Sequence, residues 1–332
     1  MRIVMMGTGT FAEPTFEALL AAGERVVGLV TQPDRDAGNK RGSTRQTGRG
    51  MATIANEAAV PVVRPASINA ADGLAALQAF APDLLVVAAY GQILSKAVIR
   101  TPTVAAINVH ASLLPKYRGA SPIAHAILNG ETRTGVTILR IEPALDAGEM
   151  LAKEEVEIRP DETTGELEAR LAPIGARLCV DVVRRLKAGP VSGETQDPAL
   201  VTKAPKLTKE MGLIDWSQPA ERVVNHVRAM HPWPTAYTFL HRPGKEPMRV
   251  IVGRVGRPVR TTGRPPHRKR VGELWELPDG GPGRLLVAVS DGGDHLPVVE
   301  LQPAGKKRMT AAEFLRGHPL ADGCRFGPER LS

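Results

Sequence analysis

Three observations predict a doubly wound, mostly parallel α/β sheet followed by a smaller antiparallel β-barrel. Short apolar runs alternate with Ala- and Leu-rich helical segments over residues 1–189. A polar tract carrying Pro198 and Pro205 then suggests a linker over 190–207. From 208 to 332, short strand signals are separated by Gly and Pro clusters, the pattern of a compact barrel. A length of 332 residues exceeds what one core usually organises, which agrees with two domains.

The first strand is the apolar run Arg2 to Met6, ending at Gly7-Thr8-Gly9. Pro14 suits the first turn of the helix that follows; Phe16, Leu19 and Leu20 keep helical spacing until Gly23 stops it. Further strands are expected at Val26–Thr31, Asp83–Ala89, Val104–Val109 and Gly135–Ile141. The unbroken hydrophobicity of the second of these marks a strand buried on both faces. Thr163-Thr164-Gly165-Glu166 matches a capping box, and Leu167, Leu171, Ile174, Leu178, Val182 and Leu186 then trace a long amphipathic helix. In the second domain a helix is expected over Pro219–Met230. Strands are expected at Arg249–Val255, Val271–Leu277, Arg284–Ser290 and Leu296–Leu301. Thr310 and Glu313 form another capping box, with Met309 and Phe314 placed as its hydrophobic staple.

Residues 1–200 carry 21 Lys+Arg against 22 Asp+Glu, whereas 201–332 carry 22 against 13, so the whole basic excess lies in the second part. That asymmetry favours a polyanionic partner, nucleic acid first and an anionic membrane second; a basic tail that only aids solubility is the plainer alternative. Arg254 to Arg270 holds seven Lys/Arg and no acid among Gly and Pro, as an exposed basic loop would. The two cysteines, Cys179 and Cys324, have no metal-like or paired spacing. No apolar run approaches a membrane span, and the first ten residues reach a glycine too early for a secretory segment, so a cytoplasmic protein is expected. No extended apolar interface is legible, and a monomer is expected.

Gly7-Thr8-Gly9-Thr10-Phe11-Ala12 lacks the third glycine of a dinucleotide fingerprint, and Gly28 to Gln32 supplies no acid for a ribose. It reads as a generic strand-to-helix turn. The stretch INVHASLLPKYRG, residues 107–119, carries more. Asn108 and His110 are two apart on a strand and share one face at its carboxyl end, where ligands of such sheets bind. An amide donates hydrogen bonds and an imidazole donates them or moves protons, which suits a reaction that develops an oxyanion and shifts a proton. Taken alone, such a pair is more commonly a satisfied polar cluster. Asp146, in the turn Ala144-Leu145-Asp146-Ala147-Gly148, is a carboxylate that could fix the tautomer of a nearby histidine; its alternative use is to cap its own turn.

INVHASLLPKYRGASP followed by GVTILRIEPALDAGEML resembles the catalytic core of the 10-formyltetrahydrofolate-dependent formyltransferases. Further stretches extend the resemblance from residue 1 to about 315: MGTGTFAEPTFEALL, VTQPDRDAG, VVAAYGQIL, LVTKAPKLTKE, IDWSQPAERV, RAMHPWPTAY and LQPAGKKRM. They narrow it to the branch that acts on methionyl-tRNA. The resemblance implies a Rossmann-like first domain and an OB-like C-terminal barrel. It also implies transfer of a formyl group from 10-formyltetrahydrofolate to the methionine α-amine of initiator methionyl-tRNA, without a metal. It places Asn108, His110 and Asp146 as the catalytic trio and Ser112, Leu113, Leu114 and Pro115 as folate contacts. Tyr90, Gly91, Gln92, Ile93 and Leu94 would line the pteridine pocket, or merely close a buried strand. Lys40, Arg41, Arg45 and Arg49 would meet the tRNA acceptor end, and Arg268, Lys269 and Arg270 its phosphates, with Lys306-Lys307-Arg308 adding to them. The 34–50 loop departs from the family: a Lys- and Pro-rich segment is replaced by Gly, Ser, Thr and Arg, so charge is kept and proline stiffening is lost. Two other functions fit parts of the chain. A formyltransferase of the same fold acting on a sugar or other small amine would not need the basic second domain. A non-catalytic RNA-binding protein would have no use for the trio.

Overall fold

The structure is a computed structural model, and it describes residues 1–33, 48–259, 270–277, 285–290 and 294–330. The chain forms two compact units. One comprises Met1–His125, Thr132–Pro160 and Gly165–Lys206; the other comprises Ala126–Glu131, Asp161–Thr164 and Leu207–Ser332.

In chain order the first elements are β1 (Ile3–Gly7), α1 (Glu13–Ala21), β2 (Val26–Val30), α2 (Met51–Glu57), β3 (Val62–Val63), α3 (Ala71–Ala79) and β4 (Leu84–Ala88). They are followed by α4 (Lys96–Ile99), β5 (Ala105–His110), α5 (Pro122–Leu128), β6 (Arg133–Arg140), β7 (Met150–Glu157) and α6 (Thr164–Ala188). The seven strands form one sheet in the order β3-β2-β1-β4-β5-β6-β7. Its first five members are parallel, and β6 and β7 return antiparallel. The doubly wound, mostly parallel sheet expected from the sequence is thus present.

Side chains alternate between the two faces. Val4, Met6, Leu85, Val87 and Ala106 pack with Leu77 of α3 and Val98 of α4 on one face. On the other face, α6 crosses β5 closely at Gly175. A Cβ at that glycine would stand 2.7 Å from Val109 Cγ1, so only hydrogen fits. Helix α6 runs 25 residues through Pro173, its amphipathic stripe buried at Leu167, Leu171, Leu178, Val182 and Leu186 as its spacing predicts.

The tract expected to link the domains is held against the first unit. Met150 and Glu194 exchange both backbone hydrogen bonds at 2.9 Å, and Arg118 N–H donates to Thr202 C=O at 2.9 Å while its own carbonyl accepts from Ala204 N at 2.7 Å. A polar, proline-bearing sequence reads as exposed connector, but here its backbone groups find strand-like partners.

The second unit contains α7 (Ala220–Ala229), β8 (Tyr237–Arg242), β9 (Lys245–Val255), β10 (Leu274–Glu276), β11 (Leu285–Val289), β12 (Asp294–Pro303), β13 (Met309–Thr310), α8 (Ala311–Gly317) and β14 (Arg325–Gly327). The sheet runs β10-β11-β12-β9-β8-β14, antiparallel throughout, with β13 added to β12. A bridge between Glu273 and Arg325 joins its two ends, closing the sheet toward a barrel and leaving few free edges. Trp216 stacks on Phe326 with ring centroids 5.5 Å apart, and its indole N–H donates to Thr238 Oγ1 at 3.0 Å. The Thr310–Glu313 capping box is present on α8 as expected. No helix among the described residues is long and apolar enough to cross a membrane.

Candidate active site

The site starts from β5, the last parallel strand of the sheet. Asn108 lies opposite Val87 on β4 and Leu139 on β6, so ladders on both sides fix its position. Because Ala106 faces the α3/α4 layer, the two-residue period brings Asn108 and His110 to that same face beyond the last core residue. His110 is 5% exposed and Asn108 half-buried. After His110 the chain turns tightly. Ser112 Oγ donates to Lys116 C=O at 2.7 Å. Thr137, opposite His110 on β6, donates to Ser112 C=O at 2.7 Å and accepts from Leu114 N–H at 3.2 Å.

Asp146 arrives from the turn between β6 and β7, with φ of 48°, a left-handed conformation that Asp tolerates better than most residues. Its Oδ1 accepts from Asn108 Nδ2 at 3.4 Å. Its Oδ2 accepts from Gly119 N–H at 2.9 Å and lies 3.7 Å from His110 Nδ1. The three residues singled out in the sequence therefore converge on one largely buried carboxylate. Close approach makes this possible at Gly119, whose φ is 123° and whose Cβ would stand 2.6 Å from Ala204 C=O.

The hydrogen bonds assign the histidine. His110 Nε2 lies 3.0 Å from Tyr117 C=O, and a carbonyl only accepts, so Nε2 carries a hydrogen. In the neutral ring Nδ1 is then a proton acceptor, and it is Nδ1 that faces Asp146. Only the charged ring donates from Nδ1. Asn108 aims one amide N–H at Asp146 and has a second to offer. The arrangement is a neutral donor, a proton acceptor and a carboxylate to balance the charge that protonation creates.

Other expected contacts divide clearly. Ser112 is wholly buried with its hydroxyl committed to the turn, and Leu114 packs with Leu139 and Met150. Leu113 and Pro115 are the half-buried members of that turn. The loop after β4 is laced in place by amides. Gln32 Nε2 donates to Tyr90 C=O at 2.9 Å, Gln92 Oε1 accepts from Ile68 N–H at 2.9 Å, and Asn69 Nδ2 donates to Ile93 C=O at 2.8 Å. Gly91 and Leu94 lie within this laced loop, Leu94 packing on the core below it. Tyr90 is buried, its hydroxyl has no partner among the described residues, and burial pushes the phenol up to about 12. Ile93 is 78% exposed.

Of the basic residues, Lys40, Arg41, Arg45, Arg268 and Lys269 lie outside the described residues. Arg49 is not a free cation: its guanidinium pairs with Glu17 and Glu57, and its N–H donates to the buried Glu13 at 3.0 Å. Glu57 first, then Glu17, hold the guanidinium charge more firmly and raise its pKa, while the bond to Glu13 comes from the backbone N–H of Arg49. Arg270, Lys306 and Lys307 are exposed, and Arg308 lies 3.6 Å from Glu300.

Sequence reasoning missed Arg118, Gln196 and Thr202. Arg118 Nη2 donates to Gln196 Oε1 at 2.8 Å, Gln196 Nε2 donates to Asp146 C=O at 2.8 Å, and Thr202 Oγ1 accepts from Tyr117 N–H at 2.8 Å. These contacts join residues 50 or more apart, with no local pattern to announce them.

A family model described as "Formyl transferase" matches residues 1–183, and one described as "Formyl transferase, C-terminal domain" matches 206–319. Methionyl-tRNA formyltransferase of Citrifermentans bemidjiense is 40% identical over 332 residues, covering 100% of this chain and 98% of that protein. The chain belongs to the methionyl-tRNA formyltransferase family. The methionyl-tRNA formyltransferase of Desulfotalea psychrophila is 42% identical, over 96% of this chain and 93% of its own. Solved structures extend the fold more widely. WlaRD, a sugar 3N-formyl transferase, superposes with a TM-score of 0.61 at 14% identity, over 92% of this chain and 99% of that one. HypX from Aquifex aeolicus, solved with tetrahydrofolic acid, gives 0.59 at 18%, over 95% of this chain and 47% of that one. This chain thus spans about half of HypX. At such identities the likeness is one of fold, and within it the methionyl-tRNA formyltransferase family is set by the full-length relatives.

Proposed function

We propose that this chain transfers a formyl group from 10-formyltetrahydrofolate to the α-amine of methionine on initiator methionyl-tRNA, with Asn108, His110 and Asp146 as its catalytic residues. The observation that carries the assignment is the convergence of the three on one point, with His110 Nδ1 facing Asp146 at 3.7 Å. The amine nitrogen attacks the formyl carbon, a new C–N bond forms, the formyl–nitrogen bond of the folate breaks, and the amine proton ends on the departing nitrogen. Asn108 donates to the oxygen on which charge develops. His110, neutral with its hydrogen on Nε2, takes the amine proton at Nδ1 and then donates from that position. Asp146 offsets the charge of the imidazolium between those two events. An α-amine has a pKa of about 8, so no strong base is needed near neutral pH.

WlaRD, solved in the presence of 5-N-formyl-THF, and HypX, solved in complex with tetrahydrofolic acid, support a reduced folate as the formyl donor. The half-buried Leu113 and Pro115 and the amide-laced loop 90–94 are the elements of the first unit proposed to hold it, with the buried Tyr90 phenol remaining neutral there. The second unit, through its Lys/Arg excess, is proposed to take the tRNA phosphates. A formylation assay supplying 10-formyltetrahydrofolate and offering Met-tRNA, free methionine and a nucleotide-sugar amine tests the assignment. Transfer to Met-tRNA alone is expected. Transfer to the sugar amine in preference, or to none of the three, contradicts it.

A further inference from the structure

We propose that Gln196 is a positioning residue for this transfer, holding the Asp146 turn in register with the segment that orients His110. Its amide lies 7% exposed in a tract that looks, from sequence, like a connector. The nitrogen donates to Asp146 C=O and to Gly148 C=O, each at 2.8 Å. The oxygen accepts from Arg118 Nε at 3.0 Å and Nη2 at 2.8 Å. Only a carboxamide offers two donor hydrogens at one end and a two-lone-pair acceptor at the other, so four hydrogen bonds saturate this side chain.

The consequence lies in what those bonds join. Residues 117–119 touch both ionisable members of the trio: Tyr117 C=O accepts from His110, and Gly119 N–H donates to Asp146. Arg118, between them, reaches the Asp146 turn through Gln196. Asp146 itself sits at positive φ, and Gly148 approaches Arg140 so closely that a Cβ would stand 2.0 Å from its carbonyl oxygen. Such a turn does not hold its shape by local preference alone; the Gln196 amide pins two of its carbonyls. Gln196 is itself anchored, with Glu194 bonded to Met150 on one side and Thr202 bonded to residues 117 and 118 on the other.

This inference rests on the catalytic assignment of Asp146, and its test keeps the two apart. In the full-length enzyme, Gln196→Leu removes both ends of the bridge and Gln196→Glu keeps the acceptor for Arg118 while setting an oxygen against the two carbonyls. A misplacement of about 1 Å can cost about a hundredfold in rate, and a loss of kcat of that order is expected for Gln196→Leu, with KM for both substrates within about twofold. Gln196→Glu, which retains the Arg118 contact, serves if the leucine variant does not fold, and is expected to lose kcat in the same direction. The deciding readout is the pair Gln196→Leu and Asp146→Asn measured singly and together. A residue acting through Asp146 adds little further loss once Asp146 is neutralised. Multiplying losses, or full kcat in both Gln196 variants while Asp146→Asn is slow, overturns the positioning role alone. Full kcat in Asp146→Asn overturns the catalytic assignment and this inference with it.

Discussion

Asn108 and His110 reach the site from a strand end, whereas Asp146 reaches it from a turn, and the two are secured by different physics. Asn108 is paired on both sides of β5 and His110 on the β6 side, over a layer of buried Val, Leu and Met, and their direction follows from the pleat. Asp146 has a left-handed backbone, and what holds it comes from far away in sequence: Gly119, Arg118 through Gln196, and the tract 194–204. The strand-borne half can therefore be disturbed mainly by unfolding the sheet, and the turn-borne half by small local shifts.

The largest effect expected is from Asn108→Ala, which removes the proposed donor to developing charge and leaves the ladders intact. A loss of about 10²–10³ in kcat is expected, with tRNA affinity and melting temperature near wild type. Equal loss of tRNA binding would place Asn108 in a general structural role. Next comes a contrast between two glycines. Gly175→Ala drives a methyl into Val109 behind β5 and is expected to destabilise the fold by about 1–3 kcal/mol, read as a lower denaturant midpoint. Gly148→Ala sets a methyl 2.0 Å from the backbone carbonyl of Arg140 at the end of β6 and is expected to reduce kcat in addition to stability. Wild-type kcat in Gly148→Ala would mean that this turn does not position Asp146.

Legibility followed the same division. The strands that Val, Leu and Ile fill could be read directly, and so could Asn108 and His110, because a two-residue spacing on a strand has one geometric meaning. Strand β7, MLAKEEVE, escaped notice because it lies at a sheet edge with one face in solvent, so its apolar content is thin. Strand β8, Tyr237–Arg242, was hidden beside the Pro-rich stretch 232–234. Asp146 was legible as a residue but not as a position, since nothing within ten residues of it encodes Gln196 or Gly119. Arg49 shows a different gap: its charge and loop suggest a phosphate contact, and nothing local announces that its guanidinium also pairs with Glu17 and Glu57.

Two smaller effects sharpen these distinctions. Arg49→Ala is expected to leave KM for Met-tRNA unchanged within about twofold, as surface ion pairs contribute little; a large rise in KM would return Arg49 to the tRNA interface. At the far end of the chain, the Thr310 N–H and hydroxyl hold the Glu313 carboxyl below its ordinary 4.5. Because the folded value is depressed, that cap contributes stability above pH 4.5, and the contribution fades as pH falls through the folded value. Glu313→Gln is accordingly expected to lower the melting temperature slightly at pH 7 and by less at pH 3; an equal difference at both would exclude an ionised cap.

The most direct test of the account is the single-turnover rate of formyl transfer to Met-tRNA in Asn108→Ala, Asp146→Asn and the double variant, with tRNA affinity measured alongside. Asn108 and Asp146 are bonded to each other and serve the same transfer step, so they act as one unit and give a double variant scarcely slower than the slower single variant, at unchanged affinity. Rates that fall by the product of the two single losses, or single variants that match the wild type, would contradict it.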